Sequence, residues 1–231
     1  MKVGILSDIH GNHFALLKVL EEATKLGVEK LLVLGDVVGY YYHPDRVLDL
    51  LNKFPFEIIK GNHEQILQDI QENRIDPEII RKKYGRGHEF ALEKLDDKTR
   101  NWLYALPYQK SIQLDEVFFQ MNHGSPWNYD EYLYPDTNSE ILDKCDSNIH
   151  DFVLIGHSHY SFSYACKSSI LINSGSVGQS RLKGGYAEWS IINTENKEYQ
   201  LIQTPYDPSE LIQEVYKIDP EIEYNSKILT R

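Results

Sequence analysis

Cysteine is nearly absent. Of 231 residues only Cys145 and Cys166 are cysteines, and they lack C-x-x-C spacing, which argues against both a disulfide framework and a cysteine zinc site. Reduced thiols are expected. Basic charge is in deficit too: Lys and Arg number 24 against 35 Asp and Glu, a formal net charge of -11. A protein that tracks a nucleic-acid backbone needs the opposite balance to displace counterions, so no long nucleic acid is expected as a partner. A small anionic substrate stays compatible, because a bound metal ion reverses the local field. No apolar run is long enough to span a bilayer, and "MKVGILSDIH" meets an aspartate too early for the hydrophobic region of a signal peptide. The expectation is a cytoplasmic protein without membrane contact. Repeats, heptads and low-complexity tracts are missing as well. What remains, 41% hydrophobic with 26% charged residues, is ordinary for a soluble globular chain with a substantial core.

The first part of the chain reads strand, helix, strand, helix, strand. "KVGIL", "KLLVLGD" and "FEIIKGNH" are short apolar runs, separated by "NHFALLKVLEEA" and "PDRVLDLLNKF". The first helical segment places Phe14, Leu17 and Leu20 on one face, with Leu16 and Ala23 beside it, and the second carries Pro44 in its first turn. This order predicts a largely parallel sheet whose ligands sit beyond the carboxyl ends of the strands. Residues 64–107 read as helices only, an insertion lying over one side of the sheet within a single domain of residues 1–231. Beyond Tyr108 strands dominate, from "KSIQL" and "VFFQMNH" through "DFVLIGH" and "SSILINSGS" to "YAEWSII" and "EYQLI", with helices at "SEILDKC" and "PSELIQEVYK". A parallel half followed by a mixed or antiparallel half suggests two packed sheets with helices outside.

Five apolar strands end alike. They run into Asp8 and His10, into Asp36, into Asn62 and His63, into His123, and into His157 and His159. Residues two apart on an extended strand share a face, so Asp8 with His10, and His157 with His159, can each offer a pair of donors to one place. Two carboxylates, one amide and five imidazoles suit borderline divalent ions such as manganese, iron or zinc. The set exceeds the needs of one ion, and two ions sharing a bridging carboxylate is the economical arrangement. For two such ions the characteristic chemistry is in-line displacement at phosphorus.

The ordered series Asp8-x-His10, Gly35-Asp36, Gly61-Asn62-His63-Glu64, His123-Gly124 and Gly156-His157-Ser158-His159 resembles the motifs of calcineurin-like metallophosphoesterases. "SDIHGNHFALLKVLEE", "GDVVGY", "HGSP", "NSGSVGQSR" and "YDPSELI" are similar to the bacterial and archaeal phosphodiesterase or diadenosine tetraphosphatase-like branch, over nearly the whole chain. That resemblance implies an α/β fold, a four-layer αββα sandwich with a small helical cap at residues 64–107. It implies Asp8, His10 and His159 on one metal, Asn62, His123 and His157 on a second, and Asp36 bridging. His63 would stay off the metals as general acid or electrostatic stabiliser, and a metal-bridging hydroxide would attack phosphorus directly. Two transition-metal ions are implied, manganese favoured, and a phosphodiester or dinucleoside polyphosphate ranks above a monoester. Some relatives of this fold serve as non-catalytic scaffolds with degenerate sites, and here all seven ligand positions and His63 are filled. The chain departs from the branch at Ser174 and Ser180, where proline is usual, and after Asp36 it lacks the arginine-rich continuation of serine/threonine protein phosphatases.

A second group of residues is open to two readings. Arg181, after a Gly-rich loop, is a fork for a phosphate or a surface arginine. Tyr40, Tyr41 and Tyr42, and likewise Trp127, Tyr129 and Tyr132, either line a nucleotide cleft or pack on neighbouring helices. His88 in "GRGHEF" is a candidate substrate contact from the cap. His43 and His150 read as surface or insertion residues, His13 as a helix-start residue or one that supports the metal ligands from behind, and Glu64 as a first-turn helix carboxylate.

Overall fold

Side-chain alternation sorts the strands between three apolar layers. The computed structural model describes residues 1–231. Along β1 (Lys2–Leu6), Val3 and Ile5 join one apolar cluster and Leu6 another, and along β2 (Lys30–Val33), Leu32 opposes Leu31 and Val33 in the same way. β3 (Phe56–Ile58) pairs with β2, and all three run parallel through α1 (His13–Leu26) and α2 (Pro44–Leu51). Asn12 caps α1, its side chain accepting from Ala15 N at 3.1 Å, and Pro44 opens α2. The buried stripe of α1 is Ala15, Leu16, Val19, Leu20 and Ala23. Leu17, expected on that face, is 40% exposed, because the i, i+3, i+4 stripe that meets the sheet is centred on Leu16 and Leu20.

Four helices follow: α3 (Asn62–Gln71), α4 (Pro77–Tyr84), α5 (Gly87–Lys94) and α6 (Asp97–Tyr104). Leu67, Ala91, Leu95 and Leu103 from α3, α5 and α6 enter the same apolar cluster as α1 and α2, whereas Ile80 and Tyr84 of α4 enter a separate one with the C-terminal segment. The second sheet has the order β4-β5-β6-β8-β7. Its strands are β4 (Gln109–Leu114), β5 (Val117–Asn122), β6 (Phe152–Ile155), β7 (Ser161–Ala165) and β8 (Ile170–Ser174). β5, β6 and β8 are parallel, with antiparallel β4 and β7 at the edges.

The chain then returns. β9 (Tyr186–Asn193) and β10 (Tyr199–Pro205) form a hairpin that pairs antiparallel to β1, completing a first sheet of order β10-β9-β1-β2-β3. Both sheets are therefore mixed: the first half of the chain is parallel and the second half mixed, as expected, but the halves do not coincide with the sheets, because β9 and β10 from the second half join the first sheet. The free edge of β1, left open once β2 pairs on its other side, is covered by the late hairpin. Val3, Ile5, Leu32, Leu34, Phe119, Met121, Phe152, Leu154, Ile172 and Ile192 fill the space between the sheets. On the far side, Val153, Ile155 and Leu171 pack on Leu142 and Cys145 from α7 (Ser139–Leu142) and the 3-10 turn after it. The order is helices, sheet, sheet, helix, with a thin fourth layer. The chain ends in α8 (Ser209–Ile218) and α9 (Glu223–Lys227). No helix is long and apolar enough to cross a membrane.

Candidate metal centre

Strands β1, β2 and β6 stop before the residues of interest. Asp8, His10, Asp36, His157 and His159 all take positive φ, between 50° and 63°, so they converge through left-handed turns rather than by alternation along an extended strand. This corrects the strand-face expectation. Asp and His tolerate that region better than most side chains, and each such residue still costs on the order of 1 kcal/mol. The turns are fixed by backbone bonds: Asp8 N donates to Gly35 O at 3.2 Å, His10 N to Asp36 O at 2.9 Å, and Gly156 N to His123 O at 2.8 Å. At Gly156 a Cβ would stand 2.0 Å from Ser7 Oγ, so only glycine allows β6 to deliver His157 and His159 this close to Asp8.

Asn62 and His63 are the first two residues of α3. Glu64, the third, is fully buried and accepts from Asp36 N at 2.9 Å, Val37 N at 2.8 Å, Val38 N at 3.3 Å and Gly61 N at 2.8 Å. It clamps the Asp36 loop to the start of α3, a role beyond that of a first-turn carboxylate. Burial, followed by repulsion from Asp36, raises its affinity for a proton.

All seven expected ligands are buried and come together. In one half, His159 Nε2 lies 3.2 Å and His10 Nε2 3.6 Å from Asp8 Oδ1, and the two ring nitrogens are 3.1 Å apart. In the other, His123 Nε2 lies 3.3 Å from Asp36 Oδ2 and 2.9 Å from Asn62 Oδ1. His157 groups with Asp36 and His123, and Asp36 Oδ2 also lies 3.9 Å from His10 Nε2, so Asp36 faces both halves.

The protonation pattern tests whether a cation fits. Nδ1 of His10 faces Val38 O at 3.0 Å, that of His123 Leu34 O at 2.7 Å, and that of His159 Gln179 O at 2.9 Å. Carbonyls only accept, so each Nδ1 carries its proton and each Nε2 turns a lone pair inward. The outer oxygens of the carboxylates are satisfied, Asp8 Oδ2 by His157 N at 2.9 Å and Asp36 Oδ1 by His63 N at 2.8 Å. The inner atoms Asp8 Oδ1, Asp36 Oδ2 and His157 Nε2 are buried with no partner. Lone pairs facing lone pairs at these distances lack a positive centre, and the nitrogen and oxygen donors fit borderline divalent ions.

The charges agree. Burial disfavours the ionised Asp8, but the imidazoles of His159 and His10 hold its carboxyl well below the usual range, and His123 and His63 do the same for Asp36. Burial opposes charge on His123, yet Asp36 and then Asp8 push it up to about 10. Without a cation, the second half keeps a proton in its place.

The remaining candidates divide. Tyr40 is buried, with its ring 4.7 Å from that of His10 and 5.1 Å from that of His63. Half-buried Arg181 is held through its backbone N to His159 O at 3.2 Å, and its Nε has no partner. Burial opposes its charge, but the phenols of Tyr224, Tyr40 and Tyr132 raise it. Tyr41 and Tyr42 do not reach the cleft; their hydroxyls donate to Asn225 O at 3.0 Å and Asp219 Oδ2 at 2.9 Å, tethering the C-terminal segment. Tyr132 covers His157 at 3.8 Å, Tyr129 stacks on Tyr108 at 4.3 Å, and Trp127 is exposed. His43 is buried against Glu214, with Nε2 2.8 Å from Oε2, contrary to its expected surface place. His150 lies between Ser111 and Ser147, and His13 opens α1. His88 is buried against His63 and does not open on the cleft. Sequence reasoning missed Tyr84, whose ring is 4.7 Å from that of His63; nothing in "RKKYGR" signals it. These rings fill the cleft, and a surface cavity of about 560 Å³ between α2, α5 and α6 contains none of the cluster residues.

Residues 1–197 match the sequence profile of the calcineurin-like phosphoesterase superfamily domain. An uncharacterised protein of Methanocaldococcus jannaschii is 26% identical over 235 residues, spanning 93% of this chain and 92% of its own length. A metallophosphoesterase structure from Sphaerobacter thermophilus aligns with a TM-score of 0.80 at 20% identity, covering 100% of both chains. An archaeal phosphodiesterase aligns with a TM-score of 0.53 at 21% identity, covering 88% of this chain and 99% of its own. Both structural likenesses are in fold.

Proposed function

The chain belongs to the calcineurin-like phosphoesterase superfamily and is a metal-dependent phosphoester hydrolase, and from that premise we propose that it cleaves a phosphodiester or a dinucleoside polyphosphate with two divalent ions bound. Asp8, His10 and His159 hold one ion, Asn62, His123 and His157 the other, and Asp36 serves both. Manganese is favoured. Bound there, the ions activate water and neutralise the phosphoryl oxygens. The observation that carries this reading is the set of inward, unpartnered acceptors, Asp8 Oδ1, Asp36 Oδ2 and His157 Nε2.

The chain's own groups supply the rest. His63 stands beside the cluster, a ring nitrogen within 4.8 Å of the donor atoms of His10 and Asp36. Burial holds its proton affinity well below that of a free histidine, with Asp36 opposing, and an arriving phosphate anion shifts the balance toward the protonated ring that gives a proton to the leaving oxygen. Arg181 pairs with a phosphate oxygen outside the metal cluster, and buried Tyr40, its ring beside those of His10 and His63, closes the cleft to bulk water. The archaeal phosphodiesterase of like fold supports a diester substrate by analogy.

The test is turnover by chelator-stripped protein given manganese, on a monoester, a diester and diadenosine tetraphosphate, with His63→Ala as control. Manganese-restored turnover of the diester or polyphosphate, lost in His63→Ala with metal still bound, supports the reading. Metal binding without turnover of any of the three returns the chain to an interaction scaffold.

A further inference from the structure

His63 and His88 form a pair that the metal cluster does not require. Their rings are nearly parallel, with centroids 5.0 Å apart at an interplanar angle of 10°, and meet edge to edge, His63 Nδ1 lying 3.2 Å from His88 Nε2. His88 comes from α5 and is 1% exposed, and its own Nδ1 has no partner. An unpartnered buried nitrogen costs about 1–3 kcal/mol, and a phenylalanine beside Tyr84 and His63 would fill the place without it. What the imidazole adds is one nitrogen at hydrogen-bond distance from His63. Room for that contact depends on Gly39, at φ 89°, where a Cβ would stand 2.1 Å from His63 Nδ1.

When His63 carries the proton it is to transfer, both its ring nitrogens bear hydrogen, and the role left for His88 Nε2 is that of acceptor. Burial, which lowers His88 to about 4, keeps it in the uncharged form that can accept.

We propose that His88 is the positioning residue of His63, accepting its Nδ1–H at Nε2 and so presenting His63 Nε2–H to the leaving oxygen. The inference rests on the hydrolase reading above. In the step, hydroxide formed from water, whose proton goes to solvent, makes the new bond to phosphorus, and the bond to the leaving oxygen breaks. That oxygen takes the Nε2 proton. His63 is left neutral, its Nδ1–H still on His88, and regains a proton from solvent.

The test compares two substrates on manganese-loaded protein: a para-nitrophenyl ester, whose leaving group needs no proton, and an alkyl ester, whose leaving group does. His88→Phe keeps a ring without the acceptor, and His88→Gln restores an amide oxygen near the position of Nε2. Expected is a loss in kcat of about tenfold or more on the alkyl ester alone, with KM unchanged and His88→Gln recovering most of it. Equal losses on both esters, or equal behaviour of His88→Phe and His88→Gln, overturn the inference. His63→Ala separates the two claims: if it too treats both esters alike, the hydrolase role of His63 fails first. Imidazole nitrogen NMR of the chelator-stripped protein gives a readout apart from activity. A protonated His63 Nδ1 whose signal moves in His88→Phe is the expected result, and an unprotonated Nδ1 in the unaltered chain contradicts it.

Discussion

Glu64→Gln replaces one carboxylate oxygen by an NH2 group in a site where every neighbour is a donor. Oε2 takes Asp36 N and Gly61 N at 2.9 and 2.8 Å, and Oε1 takes Val37 N and Val38 N at 2.8 and 3.3 Å. Whichever way the amide turns, two N–H groups face an NH2 instead of an acceptor. Charge-assisted bonds contribute about 1.5–3 kcal/mol each, so two lost bonds amount to about 3–6 kcal/mol, offset in part by relief of the burial penalty and of repulsion from Asp36. A net loss of about 3 kcal/mol is expected. A carboxylate acting only on the helix dipole would contribute about 0.3–1 kcal/mol, so the magnitude decides between clamp and dipole. The clamp also places Asp36, so manganese affinity falls with stability. Urea unfolding of the metal-free protein and calorimetric titration with manganese measure both. A variant within about 1 kcal/mol of the unaltered chain, with unchanged manganese binding, refutes the reasoning.

Four further outcomes follow from the geometry. Asp36→Asn removes the group facing both halves and should abolish binding of both ions, whereas His157→Ala should leave one, as metal analysis of the dialysed variants will read. Arg181→Ala should raise KM severalfold with kcat less affected, and Arg181→Lys should restore only part of it, because a point charge replaces a fork. Ile5→Ala, between the sheets, should destabilise by about 2–5 kcal/mol, and Leu17→Ala, 40% exposed, by under about 0.5 kcal/mol; equal urea midpoints for the two would contradict the layering. His88 and His157, lowered by burial to about 4 and about 3, stay neutral when folded, while the unfolded chain protonates them below about 6.5. The unfolded state then binds more protons, so metal-free stability should drop as pH falls from about 6.5 toward 4. His123, raised to about 10, stabilises fully below about 6.5 and loses this toward 10, so the windows do not overlap; a urea midpoint unchanged on acidification counts against the burial argument.

Much of the site was legible because its donors follow apolar runs in a fixed order, so Asp8, His10, Asp36, His123, His157 and His159 announce themselves at strand ends. The manner of convergence was not. Left-handed φ at Asp8, His10, Asp36, His157 and His159 is imposed by tertiary bonds such as Gly178 N to Asp8 O at 3.0 Å, which no local pattern encodes. β7 escaped notice because "SFSYA" is an edge strand with one wet face, only Phe162 being well buried in the core of the far side. The return of β9 and β10 to β1 is a pairing across more than half the chain. Leu17 misled because Leu16 and Leu17 satisfy neighbouring helical stripes equally well in sequence. His88 gave no sign of its partner, since α5 meets His63 only once it has packed on α3 and on the Tyr40 backbone.

The most direct measurement for the central claim is anomalous diffraction at the manganese edge from crystals of manganese-loaded protein. Two peaks about 3.5–4 Å apart, with Asp36 between them and Asp8 Oδ1 and His157 Nε2 each on one ion, is the predicted result. A single peak, or none within the cluster, contradicts it.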